Sequence, residues 1–163
     1  MKWSKKILVV LVIAFVIIQF FRPEENKTSE VQISDISTVY TVPEEVNKIF
    51  KKACNDCHSN NTVYPWYSKI QPVAWWLNKH VEEGKEEFNI NEFATFKLRK
   101  QYKRIVQVAE LVEKDEMPLK SYTLIHREAI LTDAEKQILN NWSKSIQDSM
   151  KAKHPMDSLI RKK

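Results

Sequence analysis

Apolar residues run from Ile7 to Phe21 with a single interruption at Gln19, and further along the chain they recur mainly at helical spacing. Val46, Ile49, Phe50 and Ala53 follow the i, i+3, i+4, i+7 pattern of one buried face, behind the helix-start signal Thr41-Val42-Pro43-Glu44. Val73, Trp76, Leu77, His80 and Val81 form a second apolar stripe from near Pro72, which the sequence ends at Gly84. A third helix is predicted between about Asn91 and Lys114, with Leu98, Tyr102, Ile105, Ala109 and Val112 on its inner side. Thr132-Asp133-Ala134-Glu135 opens a last helix whose inner face includes Ile138, Leu139, Trp142 and Ile146. One glycine and six prolines leave little of the punctuation that a chain of hairpins needs. The pattern therefore predicts an all-α fold: a membrane anchor or signal over 1–21, a flexible polar tether over 22–40, a helical domain over 41–147 and a basic tail over 148–163.

The N-terminal run is expected to enter a bilayer, because Lys2, Lys5, Lys6 and the interfacial-type Trp3 precede it. Its fifteen residues span roughly 22 Å as a helix, short of a hydrocarbon core of about 30 Å, so length alone also fits a signal peptide. The flank Phe20-Phe21-Arg22-Pro23 lacks a small-x-small cleavage pattern, which favours an uncleaved, single-pass anchor in the cytoplasmic membrane through residues 7–21. The lysines then stay inside and the rest is exported to the periplasm. The net charge of +5 comes from the two termini, so the body is close to neutral and no nucleic-acid partner is expected.

The chemistry concentrates in Cys54-Asn55-Asp56-Cys57-His58, which holds both cysteines. Two thiols three positions apart suit the two vinyl groups of one porphyrin, and the adjacent imidazole is placed to ligate its iron. A redox disulfide and a zinc site are the competing readings; the first lacks a βαβ setting and the second lacks further ligands at a defined spacing. For the opposite side of the iron, Met117 is a candidate from the Glu116-Met117-Pro118-Leu119 loop, His80 an alternative from an apolar stripe, and His126, one helical turn after Tyr122, a third. An open, water-bearing position is the remaining choice. Trp66 and Tyr67, in the aromatic loop after the motif, are candidates for the pocket wall.

The order of helix, Cys-x-x-Cys-His, intervening stretch, Met-Pro loop and terminal helix resembles the small cytochromes c. More closely, Cys54-x-x-Cys57-His58-Ser59-Asn60-x-Thr62-x-Tyr64-Pro65-Trp66-Tyr67, then Pro72-Val73 and His80, then Met117-Pro118-x-x-x-Tyr122-x-x-x-His126, is similar to the haem-binding domain of small exported proteins of the Bacteroidota type. The resemblance implies a helical, cytochrome c-like domain with one covalent haem c and a periplasmic setting. The function expected from these readings is a membrane-anchored monohaem electron carrier, not an enzyme, with an unidentified redox partner protein. A haem-based sensor or small-ligand-binding module is the alternative, and a weak peroxidase a further one.

Overall fold

The four amphipathic segments supply the frame. The computed structural model describes residues 3–160, and every regular element among them is helical. Lys2 of the expected anchor flank and Arg161, Lys162 and Lys163 of the basic tail lie outside the described residues.

Helix α1 (Trp3–Ile18) projects from the body and buries none of its residues. Helix α2 (Glu44–Ala53) buries Val46, Ile49, Phe50 and Ala53, as the periodicity requires. It starts at an N-cap of Pro43 without a side-chain cap, instead of at Thr41, whose carbonyl accepts a hydrogen bond from Trp142 Nε1 at 3.0 Å. Helix α3 (Asn55–His58) is a single turn, and α4 (Val73–Glu87) packs against it. Gly84 sits inside α4, not beyond its end. The face of α4 turned inward is Ala74, Leu77 and Val81, while Val73 and Trp76 stay exposed and His80 is half-buried.

The helix expected from Asn91 divides in two. Asn89 accepts from the Asn91 amide at 3.0 Å and starts a 3₁₀ segment, Ile90–Thr95, whose three-residue turn points both Ile90 and Phe93 into the core. Helix α5 (Leu98–Glu113) then lies along α7 (Asp133–Lys153), joining Tyr102, Ile105 and Val112 to Leu139, Trp142 and Ile146. Between them comes α6 (Lys120–Thr123). The Thr132 capping box of α7 forms as the sequence indicates. Trp142 meets Phe50 edge to face at 5.3 Å, which ties α2 to this pair.

Two expectations are corrected. The 148–163 segment is not a mere basic tail: Met150 is buried in the last turns of α7, and α8 (Met156–Leu159) returns to bury Leu159 against α5. The 22–40 segment is not a free tether. Ile36 enters the core, and the stretch before it is bonded along the domain because its amides and carboxylates find polar partners there. Among the described residues no helix is long and apolar enough to cross a membrane; the helix of the N-terminal run stops at Ile18 after sixteen residues.

Candidate functional site

Helix α2 ends at Cys54, and α3 turns the chain back within four residues, so the motif stands at a corner of the core. Asp56, between the two cysteines, fixes that corner. Its carboxylate accepts from Tyr122 Oη at 2.7 Å and from the Val63 amide at 3.1 Å, and its carbonyl accepts from Thr62 Oγ1 at 2.6 Å. Burial and the bond to Asp56 both push the Tyr122 hydroxyl up, so it remains the donor.

A cavity of about 360 Å³ opens beside the motif, within the roughly 300–1,000 Å³ of small-molecule and cofactor sites. Cys54, Cys57 and His58 line one part of it. His80 and Gly84 of α4, Arg104 and Val108 of α5, and Met117 and Tyr122 from the stretch after α5 line the rest, with Leu139 of α7 beneath. Carbon atoms dominate this lining, as a flat macrocycle needs.

His58 Nδ1 lies 2.9 Å from the Gly84 carbonyl and 2.8 Å from the Phe88 carbonyl. Carbonyl oxygens only accept, so Nδ1 carries the proton and the lone pair is left on Nε2. Burial depresses the imidazole's basicity, the Arg104 charge adds to that depression, and the two carbonyls oppose it. The outcome is a neutral, oriented imidazole, the form that ligates a metal.

The third feature is the contact that holds α4 on α3. A Cβ on Gly84 would stand 2.6 Å from the Cys57 carbonyl oxygen and 3.1 Å from Cys57 Cβ. Only glycine lets this helix approach close enough to offer its carbonyl to His58.

The thiols are not tuned for redox exchange. Burial, with Cys57 beside it, pushes Cys54 up to about 12, and burial with the Asp56 charge pushes Cys57 up to about 11. Reactive redox thiols need the opposite shift. Nor do the two sulfurs and His58 converge as a chelate: among the described residues no group of three or more His, Cys, Asp or Glu side chains is placed to hold a metal ion by itself. Both findings weigh against the disulfide and zinc readings of the motif.

Arg104 is a further polar group in this wall. Its guanidinium pairs with the Glu87 carboxylate and donates from Nη1 to Gln107 Oε1 at 2.6 Å, but its buried Nε has no hydrogen-bond partner. A buried, unpaired donor on a charged group costs free energy unless a ligand meets it, and an anionic substituent such as a porphyrin carboxylate is of the required chemistry. The cavity size, the free Nε2 and this orphaned donor all fit a haem.

The remaining candidates separate cleanly. Met117 and His80 both line the cavity. His80 donates from Nδ1 to the Trp76 carbonyl at 2.8 Å and lies against the Trp76 ring at 4.3 Å. His126 is occupied at both nitrogens, by Glu128 at 3.1 Å and by Tyr67 Oη at 2.7 Å, and its ring stacks on Tyr122 at 4.4 Å; it does not line the cavity. Trp66 and Tyr67 also lie outside the lining, correcting the expectation that they form the pocket wall. A 3₁₀ turn over Trp66–Lys69 carries Trp66 outward into solvent, while Tyr67 turns to His126.

Asn26, in the stretch expected to be a tether, is a further contributor. Its amide and Nδ2 donate to Tyr64 Oη, the Ser59 carbonyl and Thr62 Oγ1 at 2.7, 2.8 and 2.9 Å. Its oxygens accept from the Thr62 amide at 3.0 Å and from Lys85 Nζ at 2.6 Å. One side chain thus clamps the loop after His58 to α4.

Comparison with known proteins agrees with the site. No curated protein and no solved structure matches the chain. Residues 13–145 match the family described as "Haem-binding domain", a span that contains the motif, the cavity lining and Asn26. The chain belongs to the haem-binding domain family.

Proposed function

We propose that this haem-binding protein holds one haem c covalently and carries electrons outside the cytoplasmic membrane. The observation that supports the reading most strongly is His58, whose Nδ1 is committed to the Gly84 and Phe88 carbonyls at 2.9 and 2.8 Å while Nε2 is left for the iron, beside both thiols. In such an attachment each thiol S–H would add across one vinyl double bond, with a sulfur–carbon bond formed, the hydrogen passed to the neighbouring carbon, and no electrons gained or lost. Haem-attachment machinery of the cell would make the two bonds.

The bound haem supplies an iron that accepts and releases one electron. The chain's part would be to exclude water from the cavity, hold His58 and offer the iron a second ligand. We assign that ligand to Met117. It enters from the turn after α5, an element separate from the α3–α4 pair that carries and supports His58. His80 rides on α4 itself, one turn before Gly84. A thioether opposite an imidazole raises the reduction potential, as suits a carrier.

Uncovered α1 is the proposed membrane attachment, with Lys5 and Lys6 on the cytoplasmic side and the haem domain in the periplasm. Its sixteen residues reach about 24 Å, so seating it requires local thinning of the bilayer or snorkelling lysines.

Optical and paramagnetic-resonance spectra of the matured protein test the ligation. The parent and His80→Ala should show low-spin iron with the signature of a methionine ligand, and Met117→Ala should lose it. A high-spin parent that binds carbon monoxide as readily as Met117→Ala would overturn the carrier reading in favour of a sensor.

A further inference from the structure

The end of α1 is bolted to the start of α4 through Gln71, which is fully buried. Gln19 Nε2 donates to the Gln71 carbonyl at 3.3 Å, and the Gln71 amide donates back to Gln19 Oε1 at 2.9 Å. Gln71 Nε2 and Trp75 Nε1 both donate to the Phe21 carbonyl, at 2.6 and 2.8 Å. These bonds fix which face of the domain lies beside the apolar helix.

That face is aromatic and open. Trp66 is 78% exposed, Trp75 41% and Trp76 46%, and Ile70 and Val73 stand in the same short stretch, also exposed. Phe20 and Phe21 extend the patch toward α1 at 82% and 63% exposed. Between Trp66 and Trp76 the only charge is Lys69. So much exposed aromatic side chain within eleven residues marks an interaction site.

We infer that the Trp66–Trp76 face rests on the membrane surface beside α1, with its tryptophan rings in the lipid headgroup region. The inference rests on the proposed seating of α1 in a bilayer. A lipid occupant is favoured because the patch continues directly from an apolar helix that buries none of its residues, and because tryptophan prefers the interface. The short helix adds a reason: a hydrophobic segment below the bilayer thickness draws its flanking residues into the interface, and here those residues are attached to the patch. The haem domain is therefore held flat on the bilayer, not suspended above it. His80, against Trp76 at 4.3 Å and in the cavity lining, sets the haem cavity one side chain behind that face.

The test uses the full-length Trp3→Phe protein in phosphatidylcholine vesicles. The remaining tryptophans are then Trp66, Trp75 and Trp76, plus buried Trp142, which provides a constant background. Flotation with the vesicles reports the seating of α1. Quenching by lipid spin-labelled near the headgroup, together with protection from aqueous acrylamide, reports the patch. The expected result is flotation, loss of most of the non-background emission to the lipid label, and weak acrylamide quenching. Flotation with acrylamide-accessible tryptophans overturns the inference and leaves the anchor standing. Tryptophans shielded from acrylamide but untouched by the lipid label indicate a protein occupant, such as a second copy, and also overturn it. Failure to float removes the anchor and the inference together.

Discussion

Gly84 offers its carbonyl to His58 Nδ1 at 2.9 Å from a position where a Cβ would stand 2.6 Å from the Cys57 carbonyl oxygen. The only glycine in the chain thus serves both the approach of α4 to the motif and the orientation of its imidazole. Alanine would favour the helix by about 1 kcal/mol at an interior site, but overpacking costs about 1–3 kcal/mol when the neighbour cannot yield. Here the nearest atoms are the backbone and Cβ of Cys57, so the penalty wins. Gly84→Ala should lower the denaturant midpoint and the fraction of protein that acquires haem. An unchanged haem yield would show that the close approach is dispensable.

Burial is the main cause of the lowered basicity of His58, and the Arg104 charge adds to it, so Arg104 also bears on the iron that His58 is proposed to ligate. A nearby cation disfavours the oxidised, more positive state. Arg104→Gln should therefore shift the midpoint potential downward, while Arg104→Lys retains most of the parent value. Potentiometric titration distinguishes them; equal potentials in all three proteins would rule out the electrostatic role.

Glu135 links α7 to α2. Partial burial works to raise its pKa, but Lys52 Nζ at 2.7 and 2.9 Å and the Thr132 amide at 2.8 Å outweigh burial and hold the carboxyl below its ordinary value. A carboxyl lowered in this way stabilises the fold above its unfolded pKa and loses that contribution as pH falls through the folded value. The Tm advantage of the parent over Glu135→Gln should be present at neutral pH and shrink on acidification below the ordinary carboxylate range. A Tm difference that does not vary with pH would contradict this assignment.

What the sequence disclosed follows from which forces act locally. The inner faces of α2, α5 and α7 were legible because burial imposes a helical period on Val46, Ile105 and Leu139, and the capping box at Thr132 was legible because its two partners are three residues apart. Spacing singles out Cys54, Cys57 and His58, and the proline that follows singles out Met117; all four line one cavity. Gly84 was misread as a helix end because glycine has that role more often than it marks close helix contact. Asn26 looked like part of a solvated linker, since nothing local reveals that its partners are Ser59, Thr62, Tyr64 and Lys85. Arg104 was hidden among the lysines and arginines of α5, where only the packing of α4 shows which one is turned inward.

The central claim is that Cys54 and Cys57 bind haem covalently in a site built around His58. The most direct measurement is the intact mass, under denaturing conditions, of the full-length protein produced with haem-attachment machinery, beside the Cys54→Ala/Cys57→Ala variant. The parent should carry the mass of one added haem and keep its haem absorbance after denaturation, and the double variant should carry none. A parent without added mass, or a double variant with the same adduct, would contradict the claim.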